Sequence, residues 1–256
     1  MKKIFGFIIL FSALVFSISA GNGSFEKDVI KTEKGDLIIT LVGHGTLMFE
    51  FDGKVIHVDP VGRVADYSKL PKADLVLVTH HHGDHLDADV LEQIKKEKTV
   101  IIATEKCTEK FSACKIMKNG DTQTACGFKI EAVPAYNIVN KRSSGDPYHV
   151  KSEGNGYIII FAGKRVYVAG DTENTPEMKA LKNIDIAFLP MNLPYTMTPE
   201  MVADAARAFR PGILYPYHYG STDTAKLVEL LKGEKDIEVR IRRIYPVKKN
   251  RGAGSL

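Results

Sequence analysis

Cysteine is scarce, with Cys107, Cys114 and Cys126 the only three in a chain of 256 residues. That is too few for a disulfide framework, and their spacing is not that of a structural zinc site. One oxidised pair, with Cys107 and Cys114 the closest in sequence, and a set of free thiols both remain open. An excess of charge of one sign is also missing. The formal net charge of +4 falls to +2 once Lys2 and Lys3 are set aside, too little to imply a polyanionic partner, so nucleic acid is not expected. The one basic concentration is Arg240, Arg242, Arg243, Lys248, Lys249 and Arg251, which reads as a solvated last strand plus tail. A Gly-x-Ser-x-Gly turn is absent, and the cysteines lie far from the histidines in sequence, so neither a serine nor a cysteine nucleophile is indicated. Low-complexity tracts and linkers are absent too. A hydrophobic content of 44% excludes disorder and supplies one buried core.

The only long apolar run is at the start. Met1, Lys2 and Lys3 precede an uncharged stretch over residues 4–20, which ends in Ser17-Ile18-Ser19-Ala20. Small residues three and one before a cut mark a signal peptide. Seventeen residues are also short of the roughly 20 that span a bilayer. The expectation is therefore a signal peptide over residues 1–20, cleavage before Gly21, and a single domain over residues 21–256 that is periplasmic or secreted, without a stable membrane anchor.

Periodicity then switches between short β runs and amphipathic helices. Strands are predicted over residues 37–42, 47–51 and 54–58, with Asp52-Gly53 as the turn between the last two. Residues 75–79 form a continuous apolar run, as in a strand buried on both faces. Asp87 caps a predicted helix to residue 96, and residues 99–103 form another strand followed by a short helix over 105–112. A strand over 128–136, a turn-rich loop over 137–155 and a hairpin over 157–169 follow. The C-terminal part alternates strand 184–189, helix 199–209, strand 213–216, helix 222–231 and strand 237–241. Two β-rich parts, each closed by helix and strand units, predict a layered α/β or α+β domain.

The chemistry concentrates in Thr79-His80-His81-His82-Gly83-Asp84-His85, directly after the buried strand. His80, His82, Asp84 and His85 put four potential ligands within six positions. Imidazoles and carboxylates together suit a borderline divalent ion such as zinc. The set must be completed from elsewhere. Between His85 and Asp171 the only histidine is His149, and after Asp171 the only one is His218. Asp171 follows the hairpin and His218 follows the strand at 213–216, so strand ends meeting on one edge would gather them.

The order His80-His81-His82-Gly83-Asp84-His85, Gly170-Asp171-Thr172 and His218 resembles the metallo-β-lactamase superfamily, over about residues 37–241. The resemblance implies a four-layer αββα sandwich and a site for one or two divalent metal ions, zinc first, with manganese or iron compatible. Residue by residue, it implies that His80, His82 and His149 hold the first ion. Asp84, His85 and His218 would hold the second, and Asp171 would bridge them. His149 lies in the long loop, where a surface histidine is the alternative. Asp59 resembles an acidic residue that steadies the histidine loop, with a plain turn aspartate as the alternative. His44 either approaches the site or satisfies a turn, His57 reads as packed or superficial, and His81 should point away. Ala135-Tyr136-Asn137, the glycine-rich approach to Tyr157, and Thr196-Met197-Thr198-Pro199-Glu200 ahead of Pro216-Tyr217-His218-Tyr219-Gly220 are similar to the branch containing ascorbate-6-phosphate lactonase-like hydrolases.

Such a site implies hydrolysis by metal-activated water, with the second metal or a protonated Asp84 assisting the leaving group. A carboxylate rather than a cysteine at position 171 argues against true β-lactamase activity. The 47 positions from Asp171 to His218 leave no room for the inserted domain of nucleases of this type. A small ester, lactone or phosphodiester is the expected substrate. Two alternatives are an N-acyl phospholipid phosphodiesterase, which would need an exposed apolar surface that no later stretch of the sequence announces, and a metal-binding protein without turnover. Oligomeric state is left open.

Overall fold

Alternation within the strands builds the layers. The computed structural model describes residues 25–244; the signal peptide expected over residues 1–20 and Lys248, Lys249 and Arg251 lie outside the described residues. One sheet pairs β1 (Glu26–Thr32), β2 (Gly35–Gly43), β3 (Thr46–Phe51), β4 (Lys54–Val58), β5 (Ala73–Leu77), β6 (Lys95–Ala103) and β7 (Lys115–Ile116) in sequence order. The second pairs β8 (Thr122–Ala125), β9 (Phe128–Ala135), β10 (Gly154–Phe161), β11 (Lys164–Val168), β12 (Ile186–Pro190), β13 (Ile213–Tyr217) and β14 (Glu238–Val239), again in order. Each sheet begins antiparallel and turns parallel, at β4–β5 in the first and β11–β12 in the second.

Successive side chains of a strand face opposite ways. Leu75 and Leu77 therefore enter a central core with Ile56, Phe49, Ile159, Val168 and Phe188 from both sheets. Val76 and Val78 face outward instead, onto Val90, Leu91 and Ile94 of α1 (Ala88–Ile94). On the second sheet Tyr167, Ala187, Leu189 and Leu214 pack outward against α2 (Pro176–Lys179), α3 (Pro199–Phe209) and α4 (Thr224–Leu231). The result is the expected αββα sandwich. No helix among the described residues is long and apolar enough to cross a membrane.

Local differences have local causes. Asp87 caps α1 as expected, accepting from the Val90 amide at 3.2 Å, but the helix stops at Ile94. Lys95 is already extended there and β6 begins at once. β1 escaped notice because as an edge strand it carries Glu26, Lys27 and Asp28, yet it pairs with β2 throughout its length. The helix expected over 105–112 is a short 3-10 turn over Glu105–Glu109, and the last strand is only two residues long. Arg240 and Arg242 correct the reading of a solvated basic end. Asp28 is buried; Arg242 donates to its Oδ1 from Nη2 at 2.8 Å, Tyr215 donates to its Oδ2, and Arg240 Nη1 lies 3.5 Å away. This cluster ties the first strand to the end of the second sheet. All three cysteines are free thiols.

Candidate metal centre

Every candidate side chain leaves a strand end or loop on one edge of the sandwich. His44 is in the turn from β2 to β3, and Asp59 follows β4. His80, His82, Asp84 and His85 follow β5, and His149 lies in the loop between β9 and β10. Asp171 follows β11 and His218 follows β13. His44, Asp59 and His218 all adopt left-handed backbone conformations, at φ 52°, 49° and 45°. Such conformations cost about 1 kcal/mol or more each in non-glycine residues, and they cluster where function demands them. The two sheets are stitched here: the His218 amide donates to the His44 carbonyl at 3.1 Å, and the Asn155 amide to the Thr79 carbonyl at 2.9 Å. Gly45 must lack a side chain, because a Cβ there would lie 2.7 Å from His85 Cε1 and 3.0 Å from His218 Cδ2.

Three overlapping groups of ligand-type atoms form, each with its atoms within 4.8 Å of one another. His80, His82 and His149 make the first. His44, Asp84, His85 and His218 make the second, and His80, His85 and Asp171 connect them. Asp171 faces both sides: its Oδ2 lies 3.3 Å from His149 Nε2, and its Oδ1 lies 3.5 Å from His85 Nε2 and 3.6 Å from His218 Nε2. All seven residues expected from sequence therefore converge. His149 is buried, not superficial. His57 packs away from the centre, with Nε2 2.9 Å from the Pro71 carbonyl, and His81 joins none of these groups.

Outer partners aim the imidazoles. His85 Nδ1 donates to Asp59 Oδ2 at 2.7 Å, which turns Nε2 inward. Thr79 Oγ1 donates to the same Asp59 oxygen and lies 3.0 Å from His80 Nδ1, so that His80 also presents Nε2. Asn137 Oδ1 accepts from both Nδ1 (2.7 Å) and the amide (2.9 Å) of His149. Asn137 is itself held by the fully buried Glu173. The Glu173 carboxylate accepts from Asn137 Nδ2 at 3.1 Å and from the amides of Ile138, Val139 and Asn140 at 2.8, 2.7 and 2.6 Å. Glu173 thus shapes the loop that carries His149. Replacing Glu173 by glutamine puts an amide donor among these amides, and metal affinity is expected to fall by about 10- to 100-fold, as for other lost outer partners. Competition with a chelating indicator measures this; unchanged affinity would contradict it.

The donor set fits a cation. His85 Nε2, His218 Nε2 and Asp171 Oδ1 are buried without a hydrogen-bond partner, a cost of about 1–3 kcal/mol for each such atom that a positive ion between them removes. Burial holds His80 well below the ordinary imidazole value, His82 at about 4, and His44 and His218 below 6.5. These rings are therefore neutral and able to ligate. Burial also opposes a charge on His85, but Asp171 and Asp59 outweigh it and raise its value. Burial likewise opposes ionisation of Asp171, and His218 and His85 outweigh it, keeping this group a carboxylate. A stability consequence follows. Below pH 6.5 the unfolded chain takes up protons that folded His80, His82, His44 and His218 refuse, whereas His85 acts in the opposite sense. Burial lowers His57 and His81 in the same sense, so with six rings against one the metal-free protein should lose stability from pH 6.5 toward 4. Urea midpoints at pH 7 and pH 5 check this, and a higher midpoint at pH 5 would refute it.

Residues 38–218, nearly the whole span from β2 to His218, match the Beta-lactamase superfamily domain. The chain belongs to the metallo-β-lactamase superfamily. Within it, the chain falls in the UPF0173 metal-dependent hydrolase family. A UPF0173 metal-dependent hydrolase of Geobacillus is 32% identical over 195 residues, covering 72% of this chain and 85% of that protein. A solved structure described as a metal-dependent hydrolase, from Parabacteroides distasonis, shares 52% identity with a TM-score of 0.82, over 86% of this chain and all of that one. Igni18, a metallo hydrolase of Ignicoccus hospitalis, shares 28% identity with a TM-score of 0.66, over 81% of this chain and 95% of its own.

Sequence reasoning missed two parts of this centre, Glu173 and Arg63, and left a third, His44, undecided. Glu173 gave no signal beyond standing two residues after Asp171. Arg63, in the loop after β4, places Nη2 3.3 Å from Asp84 Oδ2. His44, which the sequence left open, lies in the site with Nε2 3.0 Å from the same oxygen.

Proposed function

We propose that the chain is an exported hydrolase of small esters, lactones or phosphodiesters that works with two divalent ions, zinc first, with manganese or iron compatible. The carrying observation is the convergence of His80, His82 and His149 on one side of Asp171, and of Asp84, His85 and His218 on the other. We assign these seven residues as metal ligands, with Asp171 shared. Bound there, divalent ions supply Lewis acidity and bring the pKa of water down from 15.7 to roughly 7. The chain's own residues do the rest. Asp59, Thr79 and Asn137 fix the tautomers that aim Nε2 inward. Asp84, bordering the cavity and in contact with His44, is the group we assign to passing a proton to the leaving group. The likeness of residues 135–137 and 196–200 to lactonase-like relatives supports placing lactones in the panel, and the leader supports a site outside the cytoplasm.

Metal analysis with a His82→Ala control tests the premise, followed by a panel of lactones, carboxylic esters and phosphodiesters with added zinc or manganese. Less than one equivalent of metal per replete chain removes the proposal. Inactivity of a loaded sample on the whole panel favours the non-catalytic alternative.

One observation favours the lipid-directed reading more than the sequence did. Five of the seven exposed large apolar side chains among the described residues, Ile138, Val139, Val150, Leu193 and Tyr195, lie on two loops beside the cavity. Asn137 and Asn140 join these loops by donating to the carbonyls of Tyr195 and Thr196. The apolar rim is thus assembled from separate segments, none long enough to stand out in sequence. Faster cleavage of a long-chain than of a short-chain phosphodiester would favour this reading.

A further inference from the structure

The cavity over the metal centre is about 500 Å³, room for a small molecule. Two of its lining groups, Arg63 and Arg142, are not among the seven assigned ligands, although Arg63 touches one of them, Asp84. Arg63 comes from the loop after β4 in the first sheet, Arg142 from the loop between β9 and β10 in the second. Neither guanidinium is used up by the protein. Arg63 Nε is buried with no hydrogen-bond partner among the described residues, and the one ion pair of the side chain among them is the Nη2 contact to Asp84. Arg142 has no carboxylate partner among the described residues. Its Nη2 donates weakly to the Tyr148 carbonyl at 3.3 Å, and its guanidinium carbon lies 5.1 Å from the centre of the Tyr148 ring. Stacking on an aromatic face holds a guanidinium in place while leaving its in-plane donors available. Tyr195 braces the same platform, edge to face with Tyr148 at 5.0 Å, and both rings line the cavity.

A fork of donors with unspent capacity suits a carboxylate or phosphate, which it can meet with paired hydrogen bonds. We propose that the substrate carries an anionic oxyacid group in addition to its scissile bond. Arg142 and Arg63 bind that group from the two sides of the cavity, and Tyr148 and Tyr195 cover the adjoining apolar part. This rests on the hydrolase reading for the scissile bond, but the anion site itself can be tested without turnover.

The test has two arms on the metal-loaded protein, comparing wild type with Arg142→Gln. The kinetic arm uses ester pairs in which a remote carboxylate is free or methylated, and lactone pairs with and without a remote phosphate. Wild type should prefer the anionic member, and in Arg142→Gln that preference should fall by about 10- to 100-fold, the scale of a charged hydrogen bond. The pair that shows it distinguishes carboxylate from phosphate. The binding arm measures displacement of a fluorescent anion by benzoate and by phenyl phosphate. Weaker competition in Arg142→Gln supports the site even if no ester is cleaved, in which case only the hydrolase reading fails. Equal preference and equal competition in both proteins would overturn the anion site and leave the hydrolase reading standing.

Discussion

Replacing Asp171 by alanine is expected to lower hydrolysis by about 1,000-fold or more, since several kcal/mol of charge stabilisation are lost at 1.36 kcal/mol per tenfold. The size of the effect follows from position. Asp171 is the carboxylate that faces both histidine groups, through Oδ2 to His149 and through Oδ1 to His85 and His218. Without it, Asp84 is the one carboxylate left in the ligand set, and no negative charge lies between the two histidine groups. The variant should therefore bind fewer metal equivalents as well as turn over slowly. Elemental analysis and the substrate panel read the two effects separately. Wild-type metal content combined with wild-type turnover would remove Asp171 from the centre.

Asp59→Ala is expected to destabilise the fold by about 3 kcal/mol or more, because His85 Nδ1 and the Thr79 amide and hydroxyl, all buried, lose their acceptor at about 1–3 kcal/mol each. Both partners are fully buried: Asp59 Oδ2 accepts from His85 Nδ1 at 2.7 Å, and each side chain has no exposure. Asp59 also binds the Thr79 amide and hydroxyl at 2.7 Å each, just where the histidine loop begins. Alanine leaves these donors unsatisfied and frees the His85 ring to turn. Asp59→Asn separates the two roles, because its amide oxygen can keep a Thr79 bond while the carboxylate oxygen that accepts from His85 Nδ1 is lost. Urea unfolding should rank the proteins wild type, Asn, Ala, and metal titration should show about 10- to 100-fold weaker binding in either variant. Equal unfolding midpoints would reject the assignment.

The parts of the centre that sequence revealed share one property: their signal is local. Four potential ligands within six residues after an apolar strand need no knowledge of the fold, and Asp171 and His218 each stand at a legible strand end. His149 was harder, because its loop has no period. What places it is the buried Glu173 carboxylate, which collects three loop amides and Asn137. That is a long-range contact with no sequence period. β1 was missed for a related reason: polar Glu26, Lys27 and Asp28 read as loop, yet pairing with β2 and the buried ion cluster at Asp28 make the segment a strand. Arg240 and Arg242 looked like solvated charge for want of that same partner. The exposed apolar rim also joins residues more than fifty positions apart.

By itself, the sequence determined the layered architecture and the residue types of the centre, because these rest on period, short spacing and the chemistry of imidazole and carboxylate, and its histidine motif carried the resemblance to the superfamily. Tertiary structure decided between the alternatives the sequence had left for His149 and His44, bringing both into the site, while His57 and His81 stay out of it as the sequence reading had them. It also set which nitrogen each ring presents and brought Arg63 and Arg142 to the same cavity. The physical reason is that orientation and convergence depend on buried hydrogen bonds between distant segments. Those bonds form only once the two sheets have packed and excluded water.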